Sequence, residues 1–500
     1  MRALLADLLR WKLTEPSAEP MNKRLYRLIR ESILDGQLAA GVRLPASRDL
    51  ASEMNMARNT VIHVYAQLLA EGYVHSRPGS GTYVMDAIPE RLLDAGRRTR
   101  HRAPEAAAQG LSRRGASIVE NAAASPFQWG DFMPGVPDVS AFPHQKFGRI
   151  MRGLWRAPPP ELLTYGHGGG LPALREALAQ HLSVARSVDC EADQIVITEG
   201  TQQAIDLATR LLSDVGDVAW VEDPGYWGAR SVLKSNGMDV HPVAVDEEGM
   251  CPPDMHAGEA APPRPTFIFM TPSHQYPLGS IMSLARRRQW LALARAWNCW
   301  IVEDDYDSEF RYSGHPIASL QGLEPDARVI YVGTFSKTMY PGLRLGYLVL
   351  PKALVPAFQA GHAELYREGH LLTHGAVATF IEEGHYVAHI RRMRMLYERR
   401  RAMLVKLIER RLGEGWLHRD GIDAGLHLVL DLPQTMDDRE VERVVRERGV
   451  LTRALSRYYA VPERAQKGLV LGYACVPENG MAASFEIIVQ ALREALDAGA

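Results

Sequence analysis

The sequence predicts an α/β protein in two unequal parts: a small helical front closed by a β-hairpin, and a large body on a mainly parallel sheet. Three observations carry this expectation. In the first 85 residues apolar positions recur at helical spacing and then alternate along two short pieces around a glycine-rich turn. From residue 125 onward, short β-like apolar runs alternate with helical stretches, the pattern of strands joined by crossover helices. Charge also divides along the chain. Residues 22–85 hold eight Lys/Arg against five Asp/Glu, residues 86–124 hold seven against five, and residues 125–500 hold 39 against 46. The net charge of −2 is therefore the sum of a basic front and an acidic body, an asymmetry expected when a nucleic-acid module is fused to something else.

Length and composition bound the rest. At 500 residues the chain can hold two to four domains of roughly 100–200 residues each, with no need of a disulfide or metal staple. With 46% hydrophobic and 23% charged residues it is neither mostly disordered nor fibrous. The four cysteines, Cys190, Cys251, Cys299 and Cys475, form no CxxC or zinc-type spacing, so a reducing, cytoplasmic compartment is expected and no metal. Charges at Asp7, Arg10 and Lys12 interrupt the apolar N-terminal stretch, and no apolar run reaches 18 residues, so no signal segment or membrane span is expected.

In order along the chain, residues 1–21 read as an extension and residues 22–85 as the front domain. Leu25, Leu28, Ile29 and Ile33 give a first helix one apolar face. Pro45-Ala46-Ser47 starts a second, short helix with Ser47 as expected N-cap and Leu50 and Met54 inward. After Asn55-Met56-Ala57 a third helix runs from about Arg58, with Val61, Tyr65 and Leu68 buried, and ends at Gly72. Two short helices joined by about four residues make a helix-turn-helix outline. The hairpin around Arg77-Pro78-Gly79-Ser80-Gly81 adds a wing.

A recognition helix reads base edges with its first residues, here Arg58, Asn59 and Thr60. Arginine can grip guanine and asparagine adenine through paired hydrogen bonds. Arg48, Arg77, Gly79 and Ser80 are candidates for phosphate or minor-groove contact. Residues 86–124, rich in Ala and Arg, read as a linker with some helix.

In the body, 125–500, the β-like apolar runs are DQIVIT, DVAWVEDP, TFIFMTP, CWIVEDD, RVIYVGTFS and LRLGYLVLP. Ligands of such sheets lie beyond the strands' carboxyl ends, so those ends hold the candidate chemistry. Gly200, Thr201 and Gln202 open a helix directly after IVIT, where free amides and the positive dipole end suit a phosphate. Asp304 follows the strand WIV, and Tyr306 lies two residues on. Thr334, Ser336 and Lys337 follow VIYVG, with Arg344 shortly after. A lysine beside hydroxyls and an arginine can lose its proton and form a Schiff base with an aldehyde, and arginine's planar fork suits a phosphate. Lysine, upstream aspartate and phosphate-type helix start are the three anchors that a pyridoxal phosphate protein requires.

Two sets of motifs then carry a resemblance. LPASRDLASEMNMARNTVIHVYAQLLAEGYV followed by SRPGSGTYV resembles the GntR-type winged helix, with Ile62 where some members carry another arginine. FMPGVPDVSAFP, TYGHGGGLPALREALAQHL, ITEGTQQAIDL, VEDPGYWGAR, MTPSHQYPLG, VEDDYDSEFRY and GTFSKTMYPGLRLGY resemble a fold-type I aminotransferase. Together they resemble the MocR subfamily of GntR regulators, along nearly the whole chain.

The resemblance implies a winged helix-turn-helix fused to an aminotransferase-like domain with a smaller C-terminal α/β part. Lys337 would form the internal aldimine with pyridoxal 5'-phosphate and Asp304 would pair with the pyridinium nitrogen. Tyr306 would bond the phenolic oxygen and Tyr226 would stack on or flank the ring. Gly200, Thr201, Gln202, Thr334, Ser336 and Arg344 would hold the phosphate. Tyr165 would reach in from a partner subunit, which implies a homodimer.

The chain departs from the aminotransferase pattern twice. Tyr276-Pro277-Leu278-Gly279 stands for Asn-Pro-x-Gly, shifting the oxygen contact to His274 or Gln275. Val470 stands where the enzymes carry a carboxylate-binding arginine, leaving Arg453, Arg457 and Arg230 as substitutes. His370, His374, His385 and His389 have no metal partner set.

The function so implied is a transcriptional regulator that binds operator DNA and senses an amine-bearing or amino-acid-like effector through aldimine exchange at Lys337. Sensing of the cofactor by occupancy alone, and a working aminotransferase with a DNA-binding appendage, are the alternatives.

Overall fold

The computed structural model describes residues 20–77, 80–85, 110–120, 127–253, 262–313, 317–324 and 327–499. Contacts divide the chain into two compact units between Leu111 and Ser112. The extension 1–19 and the linker residues 86–109 and 121–124 lie outside the described residues.

The first unit holds helices α1 (Met21–Leu34), α2 (Ser47–Glu53) and α3 (Arg58–Ala70) and the antiparallel hairpin β1 (Val74–Arg77) and β2 (Gly81–Val84). Leu25, Leu28, Ile29 and Ile33 of α1 meet Leu50 of α2 and Val61, Val64 and Leu68 of α3 in one core. Two expectations are corrected. Ala46, with no side-chain cap, precedes α2; Ser47 is its first helical residue and its hydroxyl faces Arg58 Nε at 3.5 Å. Val64 takes the buried place expected for Tyr65, because Tyr65 turns half out to donate its hydroxyl to Pro45 O at 2.9 Å.

The second unit begins with α4 (Arg113–Glu120), inside the segment read as a linker. It continues through α5 (His144–Arg156), α6 (Pro172–Arg186), β3 (Ile195–Thr198), α7 (Thr201–Leu212), β4 (Val218–Asp223) and α8 (Trp227–Ser235). Then come β5 (Asp239–Asp246), β6 (Gly249–Met250), β7 (Phe267–Met270), α9 (Leu284–Trp297), β8 (Trp300–Asp305), β9 (Val329–Thr334) and β10 (Gly346–Val349). Helices α10 (Val355–Tyr366), α11 (Leu371–Glu382) and α12 (His385–Arg411) lead to the last layer.

Eight strands form one sheet in the order β3-β10-β9-β8-β7-β4-β5-β6. Strands β5, β4, β7, β8 and β9 pair in parallel, whereas β10 runs against both its neighbours. Strand alternation sorts the core into two layers. Ile195, Ile197, Tyr331 and Val349 pack under Leu174, Leu178, Ala376 and Phe380 of α6 and α11. Val196, Val332 and Leu348 pack on the other face against Ala204, Ile205, Ala229 and Phe358 of α7, α8 and α10.

The smaller part is a three-stranded antiparallel sheet, β11 (His427–Asp431), β13 (Gly468–Gly472) and β12 (Arg453–Ala454) in that order. Helix α13 (Asp438–Glu447) lies between β11 and β12 in the chain, and α14 (Met481–Gly499) ends it.

Leu25 is wholly buried while Ile62 is 43% exposed. Leu25→Ala is expected to destabilise the front unit by about 2–5 kcal/mol, and Ile62→Ala by less than about 0.5 kcal/mol. Amide hydrogen exchange over residues 21–77 of the full chain measures both; equal effects would contradict this core.

Candidate functional site

The carboxyl ends of β3, β4, β7, β8 and β9 open onto one cavity of about 330 Å³. Its walls include Gly200, Thr201, Gln202, Tyr226, Asp304, Tyr306, Thr334, Ser336, Lys337 and Arg344, so residues spread over about 145 positions converge. Sheet order explains the meeting, since β8 and β9 are neighbours and deliver Asp304 and Lys337 side by side.

Asp304 sits in a run of three acidic residues, and strand alternation separates them. Asp305 pairs with Arg186 at 2.7 Å and accepts from the Tyr331 hydroxyl at 2.5 Å. Glu303 accepts from Leu320 N and Gln321 N, with Arg287 3.8 Å away. Asp304 faces the cavity instead, 5% exposed, and its Oδ1 is buried without a hydrogen-bond partner among the described residues. Burial, reinforced by the Asp305 carboxylate, pushes the Asp304 carboxyl up to about 8 against the opposing pull of Lys337.

Lys337 donates from Nζ to Gly135 O at 2.7 Å. Desolvation in the cavity lowers its ammonium below the ordinary lysine range, with Asp307 and Asp304 pulling the other way. Gly135 has φ 73°, a conformation that favours glycine, and a Cβ there would stand 3.0 Å from Lys337 Nζ and crowd the amine.

Gly200 precedes helix α7 with φ 103° and provides no side-chain cap, and no acidic residue lies in the first turn. The helix's positive end is thus uncompensated and open to an anion. Arg344 borders it: its guanidinium would lie 3.7 Å from a Cβ at Gly200, and it makes no ion pair among the described residues. Thr334 Oγ1 accepts from Ser336 N at 3.1 Å, fixing the turn that carries Lys337.

Several expected residues lie elsewhere. His274 does not reach the cavity wall; its Nδ1 lies 3.0 Å from the Tyr306 hydroxyl and 3.1 Å from Asp307 Oδ2, behind Tyr306. Gln275 donates to Pro224 O and Tyr276 O, so it holds backbone. Tyr165 is 70% exposed, beside Arg367, and away from this chain's cavity.

Val470 is fully buried among Leu278, Val429, Leu455 and Tyr458. Directly opposite it across the β12–β13 pair stands Arg453, which lines the cavity and lies 3.3 Å from Glu442. Arg230 donates to Tyr458 O and Arg457 to Glu442, so neither reaches the wall. His374 and His389 are buried, and burial lowers both to about 4.

Gln128, the Met133–Gly135 turn, Trp227, Thr271 and Tyr458 also line the wall, beyond the residues that the sequence singles out. Thr271 follows β7 directly, so the strand-end rule would have found it.

On the front unit, Arg58 and Asn59 are exposed at the start of α3 and Thr60 is half-exposed. Arg48 is exposed on α2. Arg77 is exposed on β1, its guanidinium 5.1 Å from the Tyr83 ring, and Ser80 Oγ lies 2.6 Å from the Tyr83 hydroxyl. Gly79 lies outside the described residues.

Residues 21–84 match the model of bacterial regulatory proteins of the gntR family, and residues 152–494 match aminotransferase class I and II. The chain is 38% identical over 468 residues, 92% of each chain, to the probable rhizopine catabolism regulatory protein MocR of Rhizobium meliloti. This chain belongs to the MocR-type GntR regulators. It is also 31% identical to the HTH-type transcriptional regulator TauR of Rhodobacter capsulatus, over 92% of this chain and 95% of TauR. The fold of the MocR-type body matches a Pyrococcus horikoshii kynurenine aminotransferase structure with TM-score 0.66 and 24% identity, covering 81% of this chain and 99% of that one.

Pyridoxal phosphate is the cofactor of this MocR-type body, and the walls fit it. The Asp304 carboxyl, with its orphaned oxygen, could share one proton with a ring nitrogen, while the open α7 start could take a phosphate and Lys337 an aldehyde carbon. No described helix is long and apolar enough to cross a membrane.

An acid whose folded pKa lies above its ordinary value, here 3.8, holds its proton more tightly when folded. Its stabilising contribution is full below the ordinary value and is lost as pH rises through about 8. In cofactor-free protein, Asp304→Asn is therefore expected to lose less stability than wild type between about pH 5 and pH 8. Denaturant melts across that range read the slopes, and parallel slopes would contradict the buried acid.

Proposed function

We infer that this regulator reads an amine-bearing effector with an acidic group at its pyridoxal phosphate cavity and conveys the result to operator DNA. The single observation that carries the reading is the convergence of Lys337, the unpartnered Asp304 oxygen and the uncapped α7 start in one cavity. Bound pyridoxal phosphate supplies an aldehyde carbon for which a lysine amine and a free amine compete.

The chain's own groups then have these roles. Lys337, its basicity lowered by burial, offers its amine at the cavity wall. Asp304 holds a proton toward the ring nitrogen, Tyr306 faces the phenolic oxygen and Tyr226 flanks the ring. Gly200, Thr201, Gln202, Thr334, Ser336 and Arg344 hold the phosphate. Arg453 offers the acidic group of the effector a guanidinium, taking over across the strand pair what Val470 cannot do. The exposure of Tyr165 supports a homodimer in which it serves the partner's cavity.

On the front unit, Arg58, Asn59 and Thr60 read bases, while Arg48, Arg77, Gly79 and Ser80 hold the backbone. Residues 86–124 join the two parts, and two half-sites bound at once make operator affinity sensitive to their spacing. The free cysteines support a cytoplasmic setting. One observation favours a second reading: Glu442 lies close enough to neutralise Arg453, which suits sensing by cofactor occupancy with no effector acid to clamp.

Lys337→Ala is expected to lose the near-visible absorbance of the lysine-linked cofactor and the response of operator binding to amines. An unchanged spectrum would overturn the lysine's role. Arg453→Ala is expected to abolish the difference between acidic and non-acidic amines in operator titrations. If occupancy alone is sensed, neither kind of amine shifts wild-type operator binding, whereas removing pyridoxal phosphate does. Arg58→Ala is expected to weaken operator binding by about 1–3 kcal/mol and relax preference at one base, as measured by fluorescence anisotropy.

A further inference from the structure

Behind Tyr306, away from the cavity, lies an enclosed polar pair that the functions above do not use. The side chains of His274 and Asp307 are 3% and 2% exposed. One ring nitrogen, His274 Nδ1, is within hydrogen-bond distance of two groups, the Tyr306 hydroxyl at 3.0 Å and Asp307 Oδ2 at 3.1 Å. A ring nitrogen carries at most one proton, so the two contacts cannot both be donated to.

The chemistry of the two neighbours decides between the arrangements. An ionised carboxylate only accepts. With Nδ1 bare, Tyr306 would donate into it, but Asp307 would then face a lone pair at 3.1 Å with no compensating bond. With Nδ1 protonated, the N–H points to Asp307 and the Tyr306 hydroxyl finds no acceptor behind it among the described residues. Its proton then turns to the cavity. The same holds whether the other nitrogen is protonated or not.

The surroundings fix this geometry. Gly425 packs against the pair so closely that a Cβ there would stand 2.2 Å from His274 Cε1 and 2.8 Å from Asp307 Oδ2. The His427 ring lies 5.5 Å from that of His274 and donates Nε2–H to Pro277 O at 2.9 Å; burial lowers it to about 4, so it brings no charge. Tyr276 meets Tyr306 edge-on at 5.6 Å. Asp304 and Glu222 act electrostatically on Tyr306 and Lys337 on His427, and His418 and Asp420 stand across a small void from His274.

We propose that His274 and Asp307 are positioning residues that fix the direction of the Tyr306 hydroxyl proton, so that Tyr306 is a hydrogen-bond donor toward the phenolic oxygen of pyridoxal phosphate. This rests on the reading that Tyr306 meets that oxygen. A donor there favours the deprotonated oxygen and lowers the pH at which the bound chromophore changes form. The sign is diagnostic. Deleting the Asp307 charge alone would make an anion nearby easier to form and move that pH down, whereas losing the donor moves it up.

The test is a spectrophotometric pH titration of full-length, cofactor-loaded protein, alongside nitrogen-15 resonances of His274 in cofactor-free protein. Wild type is expected to show a protonated Nδ1. Asp307→Asn is expected to switch the proton to Nε2 and raise the chromophore's midpoint by about one pH unit, tenfold in the equilibrium, in the direction of Tyr306→Phe. In the Tyr306→Phe background the same substitution is expected to produce no further rise.

A bare Nδ1 in wild type overturns the proposal, and this arm stands even if Asp307→Asn fails to fold. A midpoint that falls in Asp307→Asn, or an equal rise with and without Tyr306, overturns it too. A Tyr306→Phe spectrum identical to wild type, with Nδ1 protonated, overturns the contact between Tyr306 and the cofactor and the donor role with it.

Discussion

A buried carboxyl oxygen without a partner costs about 1–3 kcal/mol, and much of the body is arranged so that Asp304 can bear that cost. Its neighbours in the strand, Glu303 and Asp305, face away from the cavity. Arg287 stands by the first and Arg186 pairs with the second. That leaves Asp304 alone toward the cavity, where burial and the Asp305 charge keep its proton on. The adjacent strand β9 ends at Thr334, and its continuation brings Lys337 to the same space. An acid that resists ionisation and an amine that resists protonation together create a site that gains stability when a ring nitrogen and an aldehyde enter it.

The same sorting of charge operates at the scale of the chain. A regulator has to meet a polyanion at one end and a small ligand at the other, and the composition separates the two tasks. Basic residues concentrate in the winged helix and the segment after it, while the cofactor body is acidic. The overall charge of −2 carries no information about either partner.

Much of the site was legible because strand-end chemistry is local. Gly200–Gln202, Asp304, Tyr306 and Lys337 each follow an apolar run, and a mainly parallel sheet gathers the ends of such runs. What escaped depends on pairing between distant segments. His274 was expected at the cofactor oxygen because Tyr276 displaces an asparagine; only the packing of Gly425 and Asp307 shows the imidazole turned behind Tyr306. Arg453 gained its place over Arg230 and Arg457 through a cross-strand register with Val470, 17 positions away, which no periodicity encodes. Ser47 looked like a cap by residue type, yet the helix began at that residue itself and left capping to the backbone.

If Lys337 is the lysine that meets pyridoxal phosphate in this cavity, borohydride reduction of the loaded protein followed by peptide mass mapping yields one stable pyridoxyl-type adduct, on the peptide containing Lys337. An adduct on another lysine, or none after stoichiometric loading, would rule that lysine out.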